Sequence, residues 1–483
     1  MDDPPPAKSW SIHTRPEITS RYKIHELVGS GAYSDVYRAT RHSDGLTVAL
    51  KEVHDYQSAF REIEALQILR GAANVVEMHE YFWREDEDAV LVLEYLRSDL
   101  GEVIREGKKR VGGLGVGEVK RWMIEVLKGV DEVHRKGIVH RDLKPGNLLV
   151  GEGGLVKLAD FGQARILLDH GNVSDYDFPP HADFTPSHTP VTHVEGSLEG
   201  DGSKPVTRET GESRGTTGDA TTETIDKEEY CRELDKYKSK FPIDDVTIEM
   251  SINDGNTSCM ATCTASDLDD NSFQGSYAYG AEDASGENMQ GALTSCVGTR
   301  WFRAPELLYG SIDYGLGVDL WALGCILAEL LTLEPLFPGA SDIDQLGRIF
   351  NVLGNLTEAT WPGCAKLPDY RIITFAEVES PTGIASLLPN RSYDEVALVQ
   401  RLVCYDPAAR ASAAELLQHK YFHEEPLPVP VSELPVPLPK SSQDEDSSDD
   451  WNRYNDMEPD SDFDDFGPME VTTTNSGFSI QFP

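Results

Sequence analysis

The chain of 483 residues carries 43 Lys and Arg against 83 Asp and Glu, a formal net charge of −40, which argues against nonspecific binding to nucleic acid or to an anionic membrane. Its 7 cysteines are dispersed, and without a Cys-x-x-Cys pair neither a zinc module nor a disulfide framework is expected. Met1-Asp2-Asp3-Pro4-Pro5-Pro6 is no signal segment, and no apolar run nears membrane-spanning length. A soluble protein of nucleus and cytoplasm is the expectation, with length for about three average domains. Most of the acidic excess falls in residues 169–293 and 424–483, so the rest is only mildly acidic.

Residues 1–20 are polar and Pro-containing and read as a loose arm. From Tyr22 the pattern becomes strand-like and leads into Gly29-Ser30-Gly31-Ala32-Tyr33-Ser34-Asp35-Val36. Glycines at 29 and 31 let backbone N–H groups reach phosphate oxygens, and the same pattern also suits an ordinary hairpin turn. Val48-Ala49-Leu50-Lys51 is a strand ending in a cation, which if buried needs an anionic partner. Glu62 is the expected partner, on a segment with a rough apolar face from Ile63, Leu66, Ile68 and Leu69; Glu64 is the alternative, but it points off that face. Val90–Leu96 is a continuous apolar strand, and 119–134 repeats apolar residues at helical spacing, with His134 a packing residue.

The chemistry concentrates in His140–Gly162. Leu148–Val150 and Val156–Leu158 flank Gly151-Glu152-Gly153-Gly154 and predict a hairpin. Folding that hairpin brings Asp142, Lys144 and Asn147 close to Asp160. Two carboxylates, an amide and a lysine at one point suit metal-assisted phosphoryl transfer; the bland alternative is a polar hairpin with incidental carboxylates.

His140-Arg141-Asp142, Asp160-Phe161-Gly162, Ala304-Pro305-Glu306 and Arg410 all stand in order, and with them the chain resembles the eukaryotic protein kinases. The resemblance implies an α+β, bilobal protein kinase fold: an N-lobe over 21–96 and a C-lobe over 97–168 and 294–423. Between these lies an acidic low-complexity insertion, 169–293, followed after the lobe by a Pro-rich, then acidic, disordered tail, 424–483. It implies ATP and Mg2+ as cofactors. The glycine-rich residues 29–34, with Val36, Ala49, Lys51, Leu93, Glu94, Leu96 and Asp99, would hold ATP, while Asn147 and Asp160 would hold magnesium. Asp142 would orient the incoming hydroxyl and accept its proton, Lys144 would offset charge, and the Lys51–Glu62 pair would position the phosphates. Glu306 and Arg410 would form a buried structural ion pair.

Leu336-Phe337-Pro338-Gly339, Asp344–Phe350 and Trp301–Glu306 resemble the cyclin-dependent branch. In that branch Arg61, Arg141 and Arg165 would gather around a phosphate on Thr294, with Ser295 the second candidate and nearby acidic side chains the alternative. Ala32 replaces the family's inhibitory threonine beside Tyr33. The Glu62 segment lacks the cyclin-contact sequence, and its distance from Lys51 is short. With the long acidic insertion, these departures resemble the plant cyclin-dependent kinase F group, in which members activate other kinases of the cyclin-dependent kinases. The implied function is transfer of phosphate, without a cyclin, to the activation-segment Thr or Ser of another kinase, by a monomer. Alternatives are a proline-directed kinase of nuclear substrates such as the RNA polymerase II tail, and a kinase-fold scaffold. Gly298 allows φ > 0 but offers no side-chain wall for a substrate proline, so that preference stays open. The insertion docks a partner or is simply tolerated, with Asp226–Lys240 its one expected short helix. In the tail, Ser447 and Ser448 suit an acid-directed kinase, and Phe463 and Phe466 a short binding motif.

Overall fold

The computed structural model describes residues 12–31, 33–83, 88–151, 153–167, 297–437, 470–474 and 477–482, the last two as backbone only. The short helix α1 (Pro16–Thr19) precedes β1 (Tyr22–Gly31), β2 (Ser34–Arg41), β3 (Thr47–Val53), helix α2 (Tyr56–Ile68), β4 (Met78–Phe82) and β5 (Ala89–Glu94). The five strands form one antiparallel sheet in the order β1-β2-β3-β5-β4.

Register and strand alternation give this sheet two distinct faces. Val36 pairs with Lys51, Lys51 with Leu91 and Ala49 with Leu93, so these five residues share a face. Ala39, Val48, Leu50, Val90 and Val92 occupy the other, and they pack with Ile12, Ile18 and Tyr22 into a separate apolar cluster. Residues 12–20, expected as loose arm, are therefore a cover for the outer face. The Ile12 N–H donates to the buried Glu52 Oε1 at 2.9 Å, and Arg15 Nη1 donates to the Asp88 carbonyl at 2.6 Å. Burying Ile12 and Ile18 completely supplies about 1.5–3 kcal/mol each, which a polar average over the segment conceals.

The second lobe begins with β6 (Ser98–Asp99), α3 (Leu100–Lys109), α4 (Val116–Arg135) and β7 (Ile138–Val139). The hairpin β8 (Leu148–Val150) and β9 (Val156–Leu158) and the short β10 (Arg165–Ile166) follow. Beyond the undescribed stretch come α5 (Pro305–Leu308), α6 (Gly317–Thr332), α7 (Asp342–Leu353), β11 (Ile373–Phe375), α8 (Ile384–Leu387), α9 (Tyr393–Leu402) and α10 (Ala413–Leu417). Helix α6 is apolar nearly all round and is buried from Val318 to Leu331, which makes it the axis of the lobe. Helix α4 buries Trp122, Met123, Val126, Leu127, Val130 and Val133. It passes so close to β9 that a Cβ on Gly129 would sit 2.4 Å from Leu158 Cδ1 and 2.9 Å from the Asn74 carbonyl.

The expected start of the tail at 424 also differs. Arg121 Nε donates to the Val429 carbonyl at 2.6 Å, Lys120 Nζ to that of Glu424 at 2.8 Å, and Leu434 is buried. Prolines stiffen this strap, which makes one 3-10 turn at Val431–Glu433, while Val429 packs at α4 and Leu434 at the β8–β9 turn. Farther on, β12 (Glu470–Thr474) and β13 (Gly477–Phe482) form a hairpin, with β13 parallel to β11. The short helix expected over Asp226–Lys240 lies outside the described residues. Among the described residues no helix is long and apolar enough to cross a membrane.

Candidate active site

Three elements converge on the Lys51 ammonium. Its Nζ lies 2.9 and 2.7 Å from the two Glu62 oxygens and 2.7 Å from Asp160 Oδ1. Asp55 caps α2 by accepting from the Ser58 N–H at 2.7 Å, which starts the helix where Glu62 faces β3. Burial by itself would pull Lys51 down, but the two carboxylates outweigh it and raise its pKa. Asp160 is correspondingly held at about 2, first by the Lys51 charge, against the opposing effect of burial. Glu64 is exposed, as its place off the apolar face predicted.

The hairpin β8–β9 brings the remaining groups together. Lys144 Nζ is 3.2 Å from Asp142 Oδ2. Asn147 Nδ2 donates to Asp142 Oδ2 at 3.0 Å and to its carbonyl at 2.8 Å, which leaves the Asn147 amide oxygen as acceptor for a cation. That oxygen and the Asp160 carboxylate are hard ligands of the kind magnesium takes alongside phosphate oxygens, so this donor set fits the expected ion. Asp160 holds φ 63°, ψ 66° and Arg141 φ 71°, both in the left-handed region. Each is flanked by His140, whose Nε2 bonds the Ala159 carbonyl at 3.0 Å and whose ring packs tilted against Phe161 with centroids 4.6 Å apart. Backbone strain of this kind is typical of functional loops.

Beneath the catalytic loop lies a residue that the sequence places only at the opening of a hydrophobic helix. Asp319, fully buried at the start of α6, accepts from the N–H groups of His140 at 2.9 Å and Arg141 at 2.8 Å, and bonds His134 Nε2 at 2.8 Å. A carboxylate in an otherwise apolar helix was the available signal. Thr299, which the sequence places in the substrate-side run 298–306 without a partner, reaches Asp142 across a sequence separation of 157.

The nucleotide-side residues line one cleft wall. Gly29 pairs with Val36, Ser30 with Asp35 and Gly31 with Ser34; Ala49 and Leu93 are buried behind them. Neither Gly29 nor Gly31 has positive φ, so each is useful for its missing side chain. Tyr33 is exposed, and Ala32 lies outside the described residues. Glu94 ends β5, Leu96 follows in the connector, and Asp99 caps α3 through the Glu102 N–H at 2.8 Å. Burial lifts the Asp99 carboxyl to about 6. The Glu94 carboxylate is itself tied down, accepting from the Glu77 N–H at 2.7 Å and from Lys157 Nζ at 2.6 Å.

Of the three expected phosphate-binding arginines, Arg141 and Arg165 are neighbours. Burial first, with the Arg165 charge among the further causes, pulls Arg141 down. Arg141 Nη1 donates to Tyr314 Oη at 2.7 Å and its Nε to the Gln163 carbonyl. Arg61 lies on α2, which packs on β10 and so on Arg165. Thr294 and Ser295 lie outside the described residues. The Glu306–Arg410 pair is present and buried, bidentate at 2.6 and 2.8 Å, with Arg410 also donating to the carbonyls of Gly317, Cys404 and Tyr405.

On the substrate side Gly298 has φ 80°, and a Cβ there would lie 2.5 Å from the Arg141 carbonyl. The Gly298 carbonyl accepts from Arg303 Nη2 at 2.8 Å. Arg303 and Arg300 both grip Asp342 at the start of α7, at 2.7 and 2.9 Å.

Comparison with known proteins agrees with this geometry. The protein kinase domain model matches residues 22–181 and 280–422. Cyclin-dependent kinase F-1 of Arabidopsis thaliana is 56% identical over the whole of both chains, and that of Oryza sativa subsp. japonica is 50% identical over 98% of each. Cyclin-dependent kinase 20 of Danio rerio is 32% identical over 86% of this chain and 87% of its own. Among solved structures, a chain of the CAK complex from Chaetomium thermophilum bound to ATP-gamma-S superposes with a TM-score of 0.55 at 25% identity, covering 87% of this chain and 98% of that one. Sheet, catalytic loop and full-length likeness agree: the chain belongs to the cyclin-dependent kinases within the protein kinase family and is a protein serine/threonine kinase.

Proposed function

We propose that this kinase transfers the γ-phosphoryl group of ATP to the activation-segment Thr or Ser of other cyclin-dependent or cyclin-dependent-kinase-activating kinases, and does so without a cyclin. The observation that carries the reading is Lys51 held between Glu62 and Asp160 by contacts internal to one chain. In this reading α2 needs no partner to bring Glu62 inward, because Asp55 caps it and Ile63 and Leu66 bury its inner face.

In the reaction the backbone of 29–34 cradles the phosphates, and Lys51 meets the α- and β-phosphates. Magnesium on Asn147 and Asp160 would neutralise charge between the β- and γ-phosphates. Asp142 takes the proton from the attacking hydroxyl while Thr299 and Asn147 hold its two oxygens in place, and Lys144 offsets charge on the moving group. The full-length likeness to the F-1 kinases, and the CAK complex as a structural neighbour, support kinases as substrates; nucleus and cytoplasm are the proposed places of work.

One observation favours a second reading. With the Gly298 carbonyl taken by Arg303, the N–H following the target residue finds no acceptor there, which suits proline at that position and hence proline-directed nuclear substrates. The test is to incubate the full chain with Mg-ATP and no cyclin. Substrates are inactive kinases with or without their activation-segment Thr, and polymerase-tail peptide. Transfer confined to kinases that keep the Thr supports the first reading. Transfer to the peptide alone supports the second, and dependence on added cyclin overturns the first.

A further inference from the structure

We propose that the edge of β11 is a strand-docking site on the C-terminal lobe and that the chain's own last residues, 477–482, occupy it in cis. Strand β13 runs parallel to β11, with Ile373 opposite Ile480, Thr374 opposite Gln481 and Phe375 opposite Phe482. On its other side it pairs antiparallel with β12, from Glu470–Gln481 to Thr474–Gly477. Among the described residues β13 is the only strand partner of β11.

Each half of this arrangement lacks something that the other supplies. A two-stranded hairpin is marginal in water by itself, and a lone strand leaves a row of backbone donors and acceptors unpaired. The lobe prepares β11 independently of the tail. Ile373 is buried, and its N–H donates to the Asp369 carbonyl at 2.8 Å. Phe375 packs edge-on against Phe350 of α7 at 4.9 Å. A pre-organised strand of this kind receives an extended peptide with little ordering cost, which is how β-augmentation sites work.

The tail sequence suits the role. Val471-Thr472-Thr473-Thr474 and Phe478-Ser479-Ile480-Gln481-Phe482 are rich in β-branched and aromatic residues, the second alternating apolar and polar, with Asn475-Ser476 between the paired Thr474 and Gly477. Residues 438–469 tether it to the packed strap, and a tether raises the local concentration of a docked segment to the millimolar range. Helix α7, against which Phe375 rests, begins at Asp342, the residue that grips Arg300 and Arg303. The docked tail thus pairs with a strand that itself packs on the helix gripping the substrate-side arginines.

The experiment uses the full chain and a fluorescent peptide of residues 470–483. Ile480→Pro in the full chain removes a ladder donor and imposes a clash, while Ile480→Val preserves strand character. The wild type and Ile480→Val should exclude the peptide, and Ile480→Pro should capture it by at least about tenfold more tightly. Hydrogen exchange over amides 374–375 should quicken in Ile480→Pro alone and slow again when peptide is added, while the Ile373 amide, bonded to Asp369 within the lobe, serves as the internal reference. Kinase activity on a short peptide checks that the variant is folded. A folded Ile480→Pro chain that does not take the peptide overturns the proposal, as does a wild type that binds it equally well. A wild-type dimer that Ile480→Pro dissolves would make a second copy's tail the occupant and would also overturn it.

Discussion

Thr299 donates twice to one oxygen of Asp142, from its backbone N and from its Oγ1, each at 2.8 Å. The other oxygen of Asp142 is engaged by Asn147 and Lys144, so the carboxylate is fixed from both sides. Thr299→Val keeps the backbone bond and the shape but removes the hydroxyl. We expect kcat to fall about 10²-fold, as a small misplacement of a catalytic group does, with KM for ATP little changed. Thr299→Ser should recover most of the rate, and steady-state kinetics with a fixed protein substrate would show it.

Asp142→Asn removes the proposed proton acceptor while keeping the side chain's size. Loss of general-base help costs about 10²–10⁴-fold in kcat. Binding of a fluorescent ATP analogue should be unaffected, because Lys51, Glu62 and Asp160 lie apart from this substitution.

The Glu306–Arg410 pair is wholly buried and bidentate. Glu306→Gln strands the guanidinium, and about 3–5 kcal/mol of stability should go with it. The thermal midpoint is the direct measurement. An unchanged midpoint would mean that the three carbonyls around Arg410 suffice without the carboxylate.

Gly129→Ala places a methyl where α4 meets Leu158 and the Asn74 backbone. Helix propensity favours alanine by about 1 kcal/mol, yet overpacking costs about 1–3 kcal/mol, and a backbone carbonyl at 2.9 Å cannot step aside as a side chain tip does. A net loss in urea midpoint is expected, together with weaker ATP binding, since β9 leads directly to Asp160.

Asp99 provides a pH signature. Its folded pKa of about 6 stands above the ordinary 3.8, chiefly through burial. A raised carboxyl stabilises the fold while it is protonated. That contribution is complete below the unfolded value and disappears as pH rises through about 6. Asp99→Asn keeps a capping oxygen for Glu102 and removes the titration. The wild type should therefore lose stability relative to this variant between about pH 4 and pH 6, read from denaturation midpoints across that range.

Lys51, Glu62, Asp142, Lys144, Asn147 and Asp160 could be picked out because they lie in short patterned runs (a hairpin, a strand end, a helix with one apolar face) and because those runs resemble the protein kinases. The structure joins Lys51 to Glu62 and Asp160, and Asp142 to Lys144 and Asn147. Glu62 was separable from Glu64 on periodicity alone. What escaped were residues whose roles depend on distant partners. Thr299 donates to the Asp142 carboxylate and Asp319 accepts from the His140 and Arg141 N–H groups, both from far along the chain, and sequence spacing does not reveal partners so remote. Ile12, Ile18 and the 424–437 strap escaped for a different reason. Each places only a few apolar side chains, interrupted by polar residues and prolines, and composition averages these away.

Glu94 deserves its place at the end of β5 for a mechanical reason. One carboxylate serves the Glu77 N–H of the upper lobe and the Lys157 ammonium of the strand that runs to Asp160. A cleft that gapes stretches this partly exposed ion pair, so the end of the connector carries a contact that favours the closed arrangement of these two elements.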